Sequence, residues 1–289
     1  MSFYDNPKVA YWLRDPFWGA VDYATYYALR ALPPRTASDI GSRLGLAAGR
    51  FRFPELTARC DHNLSLIRPD LAPSARSDIV RQMWANVGRA EAEMPVLDRL
   101  WDSAQITLVN EANLLDPLRA GRPIVAFFPH LGNWELLANA FQRLGAVLNV
   151  VYEILSNRFE RRLAANARGL IGYRLIAPTR QGVREMFSAL ERREAVGLAI
   201  DEFRNGNVIA PAFGRALPKD SNIRYALKLA NRFGAAILPC LCVRTSPFAF
   251  RLIFQDEMIN PQVADLNALG ESWIRTHPEQ WYMLHRLSI

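Results

Sequence analysis

Two side chains five residues apart, His130 and Glu135, carry the first chemistry visible in this 289-residue chain. A neutral imidazole takes up a proton near pH 7 without large tuning, so a histidine can act as general base on a hydroxyl. A carboxylate on the far ring nitrogen would fix the tautomer and stabilise the imidazolium as it forms. Glu135 is in reach of that task if it lies in the first turn of a helix after His130. The same spacing also describes a satisfied core histidine beside a helix-capping glutamate.

The flanking residues say how such a pair is positioned. Ile124-Val125-Ala126-Phe127-Phe128 reads as a buried strand, ended by Pro129, which cannot donate to a sheet ladder. Asn133 suits a helix start, and Trp134, Leu136, Leu137, Phe141 and Leu144 supply an apolar helical face. His130 then occupies a strand-to-helix turn, the place where open α/β sheets bind ligands. Further strands are expected at 106–109, 147–152, 195–200, 235–243 and 248–254, with helices at 113–120, 182–193, 221–233 and 266–275. Asp201 follows the 195–200 strand and emerges on the same edge as His130 if those strands are parallel. It reads as a substrate-positioning group or as a strand-terminal cap. Arg158, Arg161, Arg162 and Arg168 fall on one helix, either as anion-binding groups or as solvated charge.

The first hundred residues read as helical. The segment Pro16 to Leu32 repeats apolar residues at helical spacing and carries Trp18, Tyr23, Tyr26 and Tyr27. Asp22 and Arg30 interrupt it, and it is too short and too polar to span a bilayer. It suits an interfacial helix, or a helix packed on the domain. No apolar signal region is visible among the first residues. The expected division is a dependent helical part over 1–100, facing a membrane, and an α/β core over 101–289.

Composition sets outer limits. Hydrophobic residues make up 50% and charged residues 22%, ordinary values for a globular protein with a sizeable core. The net charge of +7 rests on arginine, with Lys8, Lys219 and Lys228 the only lysines. A phosphorylated lipid, an anionic membrane, an acidic carrier protein or a nucleic acid would each fit that charge. Three cysteines, Cys60, Cys240 and Cys242, argue against a disulfide framework, and soft ligands are too few for a metal site. The chain has no nucleophile elbow, Walker loop or dinucleotide glycine fingerprint.

His130-Leu131-Gly132-Asn133-Trp134-Glu135 resembles the His-x4-Asp/Glu block of the glycerolipid acyltransferase superfamily, and most closely its lipid A biosynthesis (late, secondary) branch. Arg59 to Leu64 resembles that family's Arg-x3-Asn-Leu segment, and Pro278 to Arg286 its closing segment. Asp201, Gly206, Phe213 and Gly214 match its acidic residue, glycine-containing loop and Phe-Gly turn, whereas Glu153 stands where the family has arginine. The resemblance implies a mixed, largely parallel sheet flanked by helices. It implies transfer of an acyl chain from an acyl thioester, on acyl carrier protein, to a hydroxyl of a lipid A precursor at the cytoplasmic face of the inner membrane. The same chemistry on another glycolipid or an aminolipid, or a non-catalytic lipid-binding homologue, remains open beside it. No metal, organic cofactor or nucleic acid enters that reading. His130 would be the base and Glu135 its partner, with Asn133, Arg158, Arg168 and Asp201 on the substrate.

Overall fold

The apolar runs read from the sequence become the middle of one seven-stranded sheet. The computed structural model describes residues 7–152 and 154–289. Chain order gives β1 (Gln105–Val109), β2 (Ile124–Phe128), β3 (Leu148–Val151), β4 (Tyr173–Ile176), β5 (Ala195–Ala199), β6 (Phe203–Arg204), β7 (Asn207–Val208), β8 (Ala236–Ser246) and β9 (Ala249–Phe254). The large sheet runs β1-β9-β8-β2-β5-β3-β4, and β6 and β7 form a separate hairpin. Strands β8, β2, β5, β3 and β4 are mutually parallel, while β9 turns back against β8 and carries β1 with it. The expected α/β class, with a mixed and largely parallel sheet between helices, is the fold observed.

Central strands in a parallel sheet are covered on both faces, so they read as unbroken apolar runs. All five residues of β2 are buried. Val125 and Phe127 enter one core with Val196, Leu198 and Ile200, whereas Ile124, Ala126 and Phe128 enter the opposite core with Leu137 and Phe141. That alternation is the period-two geometry of a strand. Cys240 and Cys242 also share the second core, where burial pushes both thiols up to about 12.

The front of the chain is helical through Ser103. It includes a helix at Pro54–Ile67 to which the sequence reading gave no element. The helices Pro34–Ala47 and Pro73–Glu93 touch backbone to backbone. A Cβ on Gly41 would lie 2.2 Å from the Gly88 carbonyl oxygen. That close approach carries Glu93, at the end of the second helix, into the interior with no solvent exposure. Its Oε1 accepts from Ser38 Oγ at 2.6 Å and Arg244 Nη1 at 2.9 Å. Its Oε2 accepts from Asn133 Nδ2 at 2.7 Å and Arg244 Nη2 at 2.8 Å. Arg244, near the end of β8, also exchanges two hydrogen bonds between its backbone and the Gln280 side chain. The helical front, the turn at Asn133 and the sheet therefore meet at one carboxylate, and the C-terminal segment joins them through Arg244.

The short β4 and the β6–β7 hairpin escaped the sequence reading. β4 is an edge strand of four residues with Arg174 exposed, too short for a clear period. The hairpin has two residues per arm around Asn205 and Gly206, both at positive φ.

Removing one partner of a buried ion pair leaves the other charge uncompensated, at a cost of roughly 3–5 kcal/mol. Glu93→Ala is expected to lose stability of that order in a denaturant titration, whereas the exposed Glu191→Ala should change little.

Candidate active site

Sheet register determines what His130 meets. In the β2–β5 pair, Phe128 lies opposite Ala199, and both chains continue past the strand ends in step, with Ile200 N donating to Phe128 O at 2.9 Å. Two residues further on, His130 and Asp201 come level. Asp201 Oδ1 lies 2.7 Å from His130 Nδ1, and Asp201 Oδ2 accepts from the His130 backbone N–H at 3.0 Å. Trp281 Nε1 donates to the same Oδ2 at 2.8 Å. Asp201 is fully buried, and the His130 side chain keeps 20% of its exposure. A carboxylate that accepts from Nδ1–H leaves Nε2 as the unprotonated nitrogen, able to accept a proton.

The carboxylate on Nδ1 is therefore Asp201, and Glu135 does not fill the orienting place expected of it. Glu135 belongs to a different contact. Its carboxylate receives Arg168 Nε at 3.0 Å and Arg168 Nη2 at 2.7 Å. Burial pulls the Arg168 guanidinium down, but the Glu135 charge and hydrogen bonds outweigh it, and the net shift is upward. Tyr173 beside them is raised well above its ordinary value by burial, then by Glu135. Asp201 is corrected in turn: with no exposed surface it cannot touch a substrate, and it holds the histidine instead.

Each remaining position of the block has a physical task. Leu131 is buried and forms an isolated bridge to Trp281. Gly132 sits at φ +59°, and a Cβ there would lie 2.7 Å from the Cys242 carbonyl oxygen, so the turn can approach β8 only as glycine. Asn133 was expected to cap the helix and meet substrate. Its amide donates to Glu93 instead, it is buried, and the helix begins later, at Leu136. The Trp134 ring stands edge-on to His130, with centroids 4.8 Å apart, and edge-on to Tyr282 at 5.1 Å.

The arginines separate. Arg168, at the end of the Arg158–Gly169 helix, is the one brought to the His130–Glu135 block. Arg158 lies over the Tyr11 ring at 3.9 Å and donates to the Tyr11 carbonyl, so it fastens the continuous N-terminal helix, residues 7–30, and is not at the site. Arg161 and Arg162 are exposed. Glu153 lies outside the described residues.

Trp281 is the site residue that sequence reasoning missed. It stands inside the recognised closing segment, but nothing local ties an indole there to an aspartate 80 residues earlier. The segment is held from beneath by Asn63, whose amide donates to the Leu284 and Leu287 carbonyls. That gives the asparagine of the Arg59–Leu64 segment a structural role. His285 in the same segment faces the Trp84 and Tyr282 rings.

Fold and site together define an α/β protein with a carboxylate-held histidine at the carboxyl edge of its sheet. The chain belongs to the bacterial lipid A biosynthesis acyltransferase family, whose model matches residues 11–288, and is an acyltransferase of that family. It is similar to the phosphatidylinositol mannoside acyltransferase of Mycolicibacterium smegmatis, with 25% identity over 94% of this chain and 92% of the relative. Among solved structures it matches the 1-acyl-sn-glycerophosphate acyltransferase PlsC of Thermotoga maritima, with 12% identity over 78% of this chain and 95% of that one, at a TM-score of 0.34.

Two measurements test the geometry. Arg168→Ala should cost roughly 3–5 kcal/mol in a denaturant titration, because Glu135 is left as an uncompensated charge, and Glu135→Leu combined with Arg168→Met should lose far less. An additive double variant would mean the pair is not coupled. Burial, reinforced by Arg286, lowers His285 from 6.5 to about 4. The unfolded chain therefore binds a proton that the folded chain refuses. His285 contributes full stability above about 6.5, lost progressively as pH falls towards about 4. His285→Phe should flatten that part of a stability–pH curve.

Proposed function

We propose that this acyltransferase moves a fatty acyl chain from an acyl thioester, carried by acyl carrier protein, to a hydroxyl of a membrane glycolipid of the lipid A precursor type. The observation that carries the reading is His130, with Nδ1 held by the buried Asp201 and its side chain partly open. Nε2 takes the proton of the acceptor hydroxyl as its oxygen attacks the thioester carbonyl. The imidazolium is stabilised by the Asp201 charge, and Trp281 keeps that carboxylate aimed. Collapse of the tetrahedral intermediate breaks the carbon–sulfur bond, and the departing thiolate takes the proton from Nε2. The products are the ester and the free thiol, with His130 neutral again. Glu135 and Arg168 position the turn that carries His130.

A second acceptor, a mannosylated phosphatidylinositol, is favoured by the relative of that name. Both acceptors are glycolipids with a free hydroxyl, so the same base serves either.

A peripheral place on the cytoplasmic face of the inner membrane fits the N-terminal helix. It packs through Gly19 and Tyr23 on Phe159, and Arg30 forks onto Asp98. It leaves Trp12 69%, Leu13 63% and Phe17 63% exposed. Apolar and aromatic side chains set out in this way suit the interfacial zone of a bilayer. No helix among the described residues is long and apolar enough to cross a membrane.

Turnover of acyl carrier protein thioester with lipid acceptor, read by intact-lipid mass spectrometry, tests the reading. His130→Ala and Asp201→Asn should each lower kcat by about 10²–10⁴-fold while remaining folded. Trp281→Phe should lose roughly ten-fold, in proportion to one hydrogen bond. Full activity in Asp201→Asn, with loss confined to Glu135→Gln, would return the orienting role to Glu135.

A further inference from the structure

A second surface feature involves neither the residues of the candidate active site nor those of the N-terminal helix. After the Pro34–Ala47 helix the chain winds through one wider turn, Ala48–Arg52, before Phe53 and Pro54 start the next helix. Phe51 projects from this turn with 76% of its surface exposed, and Leu44 from the preceding turn with 60%. Arg43, Arg50 and Arg52 are exposed around them. Arg43, Leu44, Ala47, Arg50 and Phe51 recur at three- and four-residue steps and so share one face. No acidic residue occurs between Arg43 and Pro54. Asp39, one turn earlier, is already engaged by Arg89, and Glu55 is the first carboxylate beyond.

The turn that carries Phe51 is packed against the helix at Pro73–Glu93. Gly49 packs so closely on the Trp84 indole that a Cβ would lie 2.3 Å from its Cδ1. Phe53 stacks on Trp84 at 5.7 Å, Thr57 Oγ1 donates to the Gly49 carbonyl at 2.7 Å, and Trp84 Nε1 donates to Thr57 Oγ1 at 2.9 Å. The turn is therefore anchored from below while Phe51 and Leu44 stay in water. The Arg50 guanidinium lies over the Phe51 ring at 5.2 Å, so charge and apolar surface are presented together.

We infer that the Arg43–Arg52 knuckle is a second membrane contact that selects anionic lipid: Leu44 and Phe51 enter the interface while Arg43, Arg50 and Arg52 meet phosphate headgroups. Charge complementarity chooses the occupant. Three arginines, Arg43, Arg50 and Arg52, that make no ion pair among the described residues, beside two large exposed apolar side chains, match the headgroup and acyl layers of an anionic bilayer. An acidic carrier protein would satisfy the arginines but would leave an apolar wedge without an acyl layer to enter. The inference rests on the peripheral-membrane reading above and adds to it a second point of attachment with lipid preference, which would fix the tilt of the molecule on the membrane.

Co-sedimentation of the full chain with phosphatidylcholine vesicles, with and without phosphatidylglycerol, tests it. Each arginine near an anionic surface contributes roughly five-fold in partitioning, so the Arg43→Ser, Arg50→Ser, Arg52→Ser triple variant should lose about a hundred-fold on phosphatidylglycerol vesicles. Its binding to pure phosphatidylcholine should change little. Leu44→Ser with Phe51→Ser should weaken binding to both vesicles without lowering the melting temperature, since both side chains are exposed. If both knuckle variants bind like the wild type while Trp12→Ser with Trp18→Ser loses binding, the knuckle proposal falls and the membrane reading stands. If the wild type binds neither vesicle, both fall. Loss of acyl carrier protein binding in the arginine variant, with vesicle binding intact, would overturn the lipid assignment.

Discussion

The site depends on one buried carboxylate. Asp201 has no access to water, and a charge in that position persists only if its oxygens are taken up by donors. The donors are the His130 backbone, the His130 ring and the Trp281 indole. Two of the three elements that meet there are adjacent sheet strands, and the third is the C-terminal segment. Closing that segment onto the sheet and orienting the histidine are therefore a single event. The burial that makes Asp201 costly to satisfy also keeps water from competing for Nδ1, which fixes the tautomer.

A second buried carboxylate performs the corresponding task for the rest of the His130–Glu135 block. Glu93 joins Ser38, Asn133 and Arg244, and so ties the helical front of the chain to the turn that carries His130. The helical part is thus structurally required by the site, because the asparagine of the block has its acceptor on a helix outside the sheet. Glu135 and Arg168 supply a third buried pair on the other flank. The block is held by charges within the protein, and the His130 side chain stays partly open.

This rigid interior contrasts with an exterior that keeps apolar side chains in water. The N-terminal helix and the Arg43–Arg52 knuckle both rest on packed aromatic and glycine contacts, and both direct large side chains outward. A surface of this kind has little benefit for a protein that stays in solution, where exposed apolar area favours association. Under the proposed function, in which the acceptor is a membrane glycolipid, such a surface would hold the protein at the bilayer that contains its substrate.

Much of this was legible in the chain itself. Apolar runs marked β2, β3, β5, β8 and β9, most cleanly β2, where cover on both faces leaves every residue buried and apolar, and Gly234 marked a helix end that the structure confirms at φ +60°. The block from His130 to Glu135 pointed to its family. What the sequence could not decide was which carboxylate the histidine holds. Glu135 was nearest along the chain, but the turn at Gly132 and the helix beyond direct it towards Arg168. Asp201 lies 71 residues away and arrives only because β2 and β5 pair side by side with that same offset. Local periodicity fixes which residues form a strand and which way they face. Strand order and register, and with them the partner of His130 and the arrival of Trp281, come from packing the whole sheet between its two helical layers.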